Sequence, residues 1–202
     1  MLEYEMKLPL TKREYDALLE LADDSDETIQ TNYYYDTEML DMQRKGITCR
    51  IRECKGSFVA TKKTHLANGV SNEETSEATG PFDTSWFGNN VKLYGEMITH
   101  RTVLLNINSV VATLDKNTYL GTTDYELEIE YEPEQREEAE RWLRYYADHV
   151  DSTLAGEDAA EFIFRLSKSK AKSARFFDCY SIISANREEV LLDEVVLLND
   201  CQ

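Results

Sequence analysis

Charged residues recur two apart along short alternating segments of this chain. Glu3, Glu5 and Lys7 share one face of the first segment, and Arg50 and Arg52 share a face of another. Asp124, Glu126, Glu128 and Glu130 share a third, opposite Tyr125, Leu127, Ile129 and Tyr131. Lys62 and Arg101 sit singly on further segments. Residues i and i+2 of a strand project to the same side of a sheet. Carboxylate oxygens in such a row suit a hard cation such as Mg2+ or Mn2+. Arginine forks and lysine ammonium groups suit phosphate oxygens. On a single strand, a charged face is ordinarily the solvated outside of an antiparallel sheet. Against that plain reading, like charges at i and i+2 repel, and lysine or threonine would serve solubility as well. Acid rows beside arginine rows fit better with charged faces that line a lumen and apolar faces that lie under helices.

The segments that must position these residues follow from periodicity. Leu2–Leu8 alternates strictly and reads as a strand. Thr11-Lys12-Arg13-Glu14 is a capping box, with Leu10 and Tyr15 placed as a hydrophobic staple, so a helix is expected from Lys12 to Ala22. The acidic run 23–27 opposes a helix C-terminus and is better placed in a loop. Strands are expected at Thr31–Thr37, Ile47–Arg52, Phe58–Lys63, Glu73–Ala78, 98–106, 109–116 and 123–132, with a hairpin turn at Lys55-Gly56. The stretch 80–95 reads as a connection with a short helix. Ala139, Trp142, Leu143, Tyr146 and Val150 repeat at helical spacing, so 134–150 is expected to be a helix. A second helix is expected at Asp158–Leu166, and Glu188–Leu198 fits a helix or a strand. Seven or eight strands joined mostly as hairpins tend to close, which removes exposed edges.

Taken in order, the charged blocks resemble the CYTH, or triphosphate tunnel metalloenzyme, superfamily. Its relatives include inorganic triphosphatases, thiamine triphosphatases and class IV adenylyl cyclases. Glu3-Tyr4-Glu5-Met6-Lys7 matches the opening E-x-E-x-K signature. Asn32–Thr37 resembles the second strand, Thr48–Arg52 the R-x-R strand, and Ala60-Thr61-Lys62 the T-x-K strand. Leu114-Asp115, Tyr119-Leu120-Gly121 and Asp124–Glu130 resemble the D…G…E-x-E block. Ser169–Phe176 resembles the C-terminal S-K-x-K-x-x-R-F segment of a Firmicutes-type bacterial branch. The resemblance runs over residues 1–177, leaving 178–202 as a C-terminal extension. It implies an α+β fold: a closed eight-stranded antiparallel β-barrel with helices packed outside. It also implies that Glu3, Glu5, Glu74, Glu126, Glu128 and Glu130 hold Mg2+ or Mn2+. Among Glu73, Glu74 and Glu77, Glu74 is the expected member. Lys7, Arg50, Arg52, Lys62, Arg101, Lys172 and Arg175 are implied to hold phosphate, with a proton acceptor among Glu3, Glu5, Glu126 and Glu128.

The implied activity is metal-dependent hydrolysis of a triphosphate, inorganic triphosphate before thiamine triphosphate. An adenylyl cyclase, or a polyphosphate or nucleotide sensor without catalysis, is the alternative. A net charge of −17 disfavours nucleic acid and anionic membranes as partners. Cys49, Cys54, Cys179 and Cys201 form no C-x-x-C pair, so a structural zinc is not expected. No signal peptide or membrane span is read, so the expected location is the cytoplasm, as monomer or homodimer. Tyr33, Tyr34 and Tyr35 could stack on a base but more often pack in a sheet. Trp86 and Trp142 read as core anchors. Asp115 reads equally as a metal ligand or as a turn or structural residue. His65 reads as a surface residue more readily than as a base.

Overall fold

The computed structural model describes residues 1–22, 27–88, 90–154, 165 and 169–199. They fall into two units, Met1–Ser169 and Lys170–Gln202. That division lies eight residues before the expected 177/178 boundary.

The first unit is a barrel of eight antiparallel strands: β1 (Leu2–Leu10), β2 (Glu27–Asp36), β3 (Ile47–Cys54), β4 (Ser57–Ala67), β5 (Val70–Ala78), β6 (Lys92–Ile107), β7 (Val110–Tyr119) and β8 (Thr122–Tyr131). The order around the barrel is β1-β5-β4-β3-β2-β6-β7-β8, and β8 pairs with β1 to close it. The strands begin or end a few residues beyond the expected bounds, because alternation fades at the barrel rims while the ladders continue. The turn between β3 and β4 has Lys55 and Gly56 both at positive φ, the twist that a two-residue hairpin needs. That tight turn fixes the register, pairing Arg50 with Thr61 and Thr48 with Lys63. At Gly69, between β4 and β5, an added Cβ would stand 2.4 Å from the Glu5 carbonyl oxygen. Only glycine therefore lets the β4–β5 turn approach β1, where Glu5 N–H donates to the Gly69 carbonyl.

Helices α1 (Lys12–Leu19) and α3 (Arg136–Leu154) flank the barrel, and a short α2 (Asp41–Arg44) precedes β3. The outward residues Leu8, Leu10, Val110, Ala112, Leu114, Leu127 and Ile129 form one core with Tyr15 and Leu18 of α1 and Ala139, Leu143, Tyr146 and Val150 of α3. Trp142 packs against its edge. A second outer core joins Tyr35, Cys49, Ile51 and Ala60 to Phe87, with Tyr33, Phe58 and Trp86 at its margin. The connection 79–91, which includes a 3-10 turn at Ser85–Phe87, supplies that cover. The apolar faces thus point outward, as expected for an inside-out barrel.

In the second unit, α4 spans Lys172–Asn199, so residues 188–198 are helical rather than extended. The helix expected at Asp158–Leu166 lies outside the described residues except for Arg165. No helix among the described residues is long and apolar enough to cross a membrane.

Thr11 and Glu14 form the expected capping box at the start of α1. The helix ends at Leu19, three residues early, before the acidic run. Glu14 is fully buried, and Arg165 donates to both of its oxygens at 2.9 and 2.5 Å. Burial alone would raise this carboxyl's pKa, but the hydrogen bonds from Arg165 and Thr11 outweigh it and hold it below the usual glutamate value. Glu14→Gln breaks a buried ion pair and is expected to cost about 3 kcal/mol at neutral pH. A group with a lowered folded-state pKa stabilises above its unfolded pKa and loses that contribution as pH falls through the folded one. In denaturant titrations, the advantage of wild type over Glu14→Gln should be complete at neutral pH and shrink on acidification below the ordinary glutamate range.

Candidate active site

Alternation along the strands decides which side chains enter the lumen. On β1 the inward set is Glu3, Glu5 and Lys7, since Leu8 and Leu10 belong to the outer core. On β8 it is Glu126, Glu128 and Glu130, opposite Leu127 and Ile129. Arg50 and Arg52 alternate with the outward Cys49 and Ile51. Arg101 pairs in register with Asp115, and Asp115 with Glu126.

These side chains make a continuous chain of opposite charges. Lys63 Nζ lies 2.6 Å from Glu3 and 3.1 Å from Glu5. Lys7 Nζ lies 2.9 Å from Glu5 and 3.0 Å from Glu128. Arg101 donates through Nε and Nη2 to both oxygens of Asp115, at 2.9 and 2.7 Å, and to Glu128 at 2.8 Å. Arg101 is therefore clamped among carboxylates. Burial alone would lower its pKa, but Glu128 and Asp115 hold it well above the ordinary value.

The other two arginines are less well matched. Arg52 donates from Nε to the amide oxygen of Asn32 at 2.9 Å. Burial, then the neighbouring charges of Arg50 and Arg101, push its pKa down to about 10. Arg50 reaches Glu73 only at 3.7 Å, and its buried Nε has no hydrogen-bond partner among the described residues. Two adjacent guanidinium groups short of acceptors make an anion socket.

Asp115, Glu126 and Glu128 bring one oxygen each within 4.8 Å of one another, all three residues buried. An all-carboxylate donor set of this kind fits a hard divalent cation. Glu130 lies farther out, 4.0 Å from Arg101. Burial, and next the charge of Glu128, raise its pKa to about 7. Crowded carboxylates without a cation are expected to behave this way.

Two expected ligands face the wrong way. Lys62 pairs with Cys49, a residue of the outer core, and its ammonium sits over the Trp86 ring at 4.7 Å outside the barrel. Lys63, not Lys62, is the lumen lysine of β4. The T-x-K pattern is Thr61-Lys62-Lys63, one residue later than the expected alignment. The hairpin register carried the signal, because a turn at Lys55-Gly56 places Thr61 opposite Arg50 and so puts Lys63 on the arginine side. Glu74 pairs with Lys62 and shares its outward face, whereas Glu73 pairs with Lys63 and reaches Arg50. A one-residue slip exchanges the two faces of a strand.

Further residues depart from their plain readings. Asp115 is fully buried in the acidic trio and is no turn residue. His65 is half-buried, with Nε2 3.2 Å from the Thr48 hydroxyl. Burial, then the charges of Lys63 and Lys7, lower its pKa. Tyr33 and Tyr35 pack in the outer core, and the Tyr35 hydroxyl donates to the Pro81 carbonyl. Lys172 and Arg175 belong to the second unit, in the first turn of α4. Lys172 is buried, and Arg175 Nη1 donates to the Lys170 carbonyl at 2.8 Å. Their expected role in phosphate binding rests on the resemblance alone.

Metal binding has a direct check. Glu126→Gln removes one charge from the acidic trio and should weaken Mn2+ binding by about 10-fold or more in a paramagnetic titration. Glu74→Gln, on the outer face, should leave it unchanged.

The CYTH domain family profile matches residues 1–147. YjbK of Bacillus subtilis (strain 168), provisionally named a triphosphatase, is 26% identical over 197 residues, covering 85% of this chain and 97% of its own. A crystal structure from Bacillus halodurans, provisionally designated an adenylate cyclase, superposes with a TM-score of 0.62 at 20% identity, covering 87% of this chain and 97% of its own. HpAC1 from Hippeastrum, provisionally designated an adenylyl cyclase and described as having a dominant triphosphatase activity, superposes with a TM-score of 0.54 at 21% identity, over 72% of this chain and 88% of its own. At these identities the two structures speak to the fold alone. The profile spans all eight strands of the barrel and runs into α3, and the chain belongs to the CYTH domain family.

Proposed function

We propose that this protein hydrolyses a triphosphate, inorganic triphosphate first, with the help of a divalent cation. The carrying observation is that one lumen holds both a buried carboxylate trio and an arginine pair short of acceptors. A polyanion complexed with a divalent cation satisfies both at once. YjbK, whose name carries triphosphatase activity, supports the same reading.

In this mechanism Arg50, Arg52 and Lys63 bind phosphoryl oxygens, with Lys7 at the junction of the acidic and basic groups. Asp115, Glu126 and Glu128 would hold Mg2+ or Mn2+, with Glu3, Glu5 and Glu130 as further acids. When bound, that cation supplies Lewis-acid neutralisation of phosphoryl charge. Arg101 orients Asp115 and Glu128 and is a positioning residue. Water attacks a terminal phosphorus, so one P–O bond forms and the bridging P–O bond breaks. Diphosphate leaves, and the water's proton passes to a lumen carboxylate among Glu3, Glu5, Glu126 and Glu128. Positioning and charge stabilisation supply most of the rate in phosphoryl transfer.

A cyclase would need a pocket for the base. The tyrosine run does not help, since Tyr33 and Tyr35 lie in the outer core and Tyr34 is sealed at 1% exposure. The reading further places the protein in the cytoplasm, as monomer or homodimer, with no nucleic-acid partner.

Phosphate release from tripolyphosphate should need Mg2+ or Mn2+ and stop in excess EDTA. Arg52→Ala and Lys63→Ala each remove a charged hydrogen-bond donor and should lower kcat/KM by about 100-fold. Tripolyphosphate with metal should raise the wild-type melting midpoint by mass action, and neither variant should share that rise in full. Lys62→Ala should keep both the activity and the ligand-induced rise, losing only its contact with Trp86. A Lys62→Ala enzyme as impaired as Lys63→Ala would overturn the assignment.

A further inference from the structure

Arg101 grips two of the three clustered acids, and one of its atoms joins them. Nη2 donates to Oδ2 of Asp115 at 2.7 Å and to Oε1 of Glu128 at 2.8 Å, while Nε takes the other Asp115 oxygen at 2.9 Å. Lys7 takes the remaining Glu128 oxygen at 3.0 Å. Nη2 thus bridges the two carboxylates, which is the place that a cation shared by them would take. The guanidinium does not complete the group. Asp115, Glu126 and Glu128 face one arginine, and Lys7 is shared with Glu5. Thr113 pairs in register with Glu128 and is 5% exposed, yet its hydroxyl has no hydrogen-bond partner among the described residues. An oxygen left over beside surplus carboxylate suits a hard cation, which takes oxygen ligands.

A divalent cation bound by Asp115 and Glu128 would be a close neighbour of Nη2, and two positive charges in a poorly solvated lumen repel strongly. Of the two basic groups on these acids, Arg101 is the one that yields. Lys7 keeps Glu5 at 2.9 Å if it loses Glu128, whereas Arg101 keeps only Glu130 at 4.0 Å. Asp115 is sealed, but 14% of the Arg101 side chain meets solvent, so the guanidinium can move without unpacking a core. Arg52 is a near neighbour as well, since the charge of Arg101 helps to lower its pKa. A polyanion held by Arg50 and Arg52 would therefore draw Arg101 too.

We propose that Arg101 and the divalent cation exchange places. Arg101 ties Asp115 and Glu128 together until the cation takes them, and the released guanidinium then becomes a ligand of the anion. Binding of the cation thus builds part of the anion site, which couples the two events. This rests on the proposed triphosphatase reading and extends the role given there to Arg101.

The test uses the full chain with metal ions alone. In heteronuclear NMR of the wild type, the Arg101 Nε–H signal is followed as Mg2+ is added. Held by Asp115, this proton should exchange slowly with water. At saturating Mg2+ the signal should shift and the exchange should quicken. An Arg101 that keeps its signal and its slow exchange beside the bound ion would overturn the proposal. The second arm is Arg101→Gln, titrated with Mn2+ by electron paramagnetic resonance. Losing a residue that only orients the acids would weaken Mn2+ binding, whereas losing a rival should tighten it by about 10-fold. Weaker or unchanged binding would also overturn the exchange. The variant should melt lower without metal and gain more from Mn2+ than the wild type does. The NMR arm needs no variant, so it decides the matter if Arg101→Gln does not fold. Failure of Mn2+ to bind the wild type would instead overturn the triphosphatase reading, and the exchange with it. Phosphate release from tripolyphosphate by the same wild-type sample tests that reading separately.

Discussion

Placing many charges inside a narrow barrel is tolerable only if each meets its opposite, because an isolated ion in a poorly solvated interior carries a large desolvation cost. The run Glu3–Lys63–Glu5–Lys7–Glu128–Arg101–Asp115 meets that condition by alternation, each member contacting the next through an ion pair. What that run leaves over defines the chemistry. Arg50 and Arg52 lie beside it with too few acceptors, and Glu126 adds a third carboxylate to Asp115 and Glu128. Both remainders call for the same kind of partner, a polyanion accompanied by a divalent cation.

The scaffold follows from the same division of faces. With charge inside, the apolar residues of β1, β7 and β8 must be covered from outside, and α1 and α3 do so. The connection 79–91 does the same for β2, β3 and β4 through Phe87 and Trp86. Lys62 shows how firmly the outer face is specified. Its charge is held over an indole ring rather than turned into the lumen one residue away from Lys63.

Much of this was legible in the sequence, because period-two alternation is a direct record of two faces. The E-x-E-x-K, R-x-R and E-x-E rows, the capping box and the Lys55-Gly56 turn all stand where the reading put them. The two misplaced ligands share one cause. In Lys62-Lys63 and Glu73-Glu74 the same charge occupies adjacent positions, so composition cannot tell inside from outside and only register can. Register between β4 and β5 depends on a turn that includes Gly69 and on its approach to β1, a tertiary contact. Asp115 stayed ambiguous because a lone acid carries no row of its own. Its role emerges only when β6 and β8 bring Arg101 and Glu126 beside it. The burial of Tyr34, Met97 and Asn117 was not legible either, since they are ordinary strand residues whose burial depends on closure of the barrel.

The central claim is that one lumen holds the cation and the triphosphate together. Electron–nuclear double resonance on the Mn2+-loaded protein with tripolyphosphate reads this directly. The account predicts phosphorus hyperfine coupling to the bound Mn2+ in the wild type, with the coupled species depleted in Lys63→Ala and retained in Lys62→Ala. Mn2+ bound to the wild-type protein with saturating tripolyphosphate but without phosphorus coupling would contradict it.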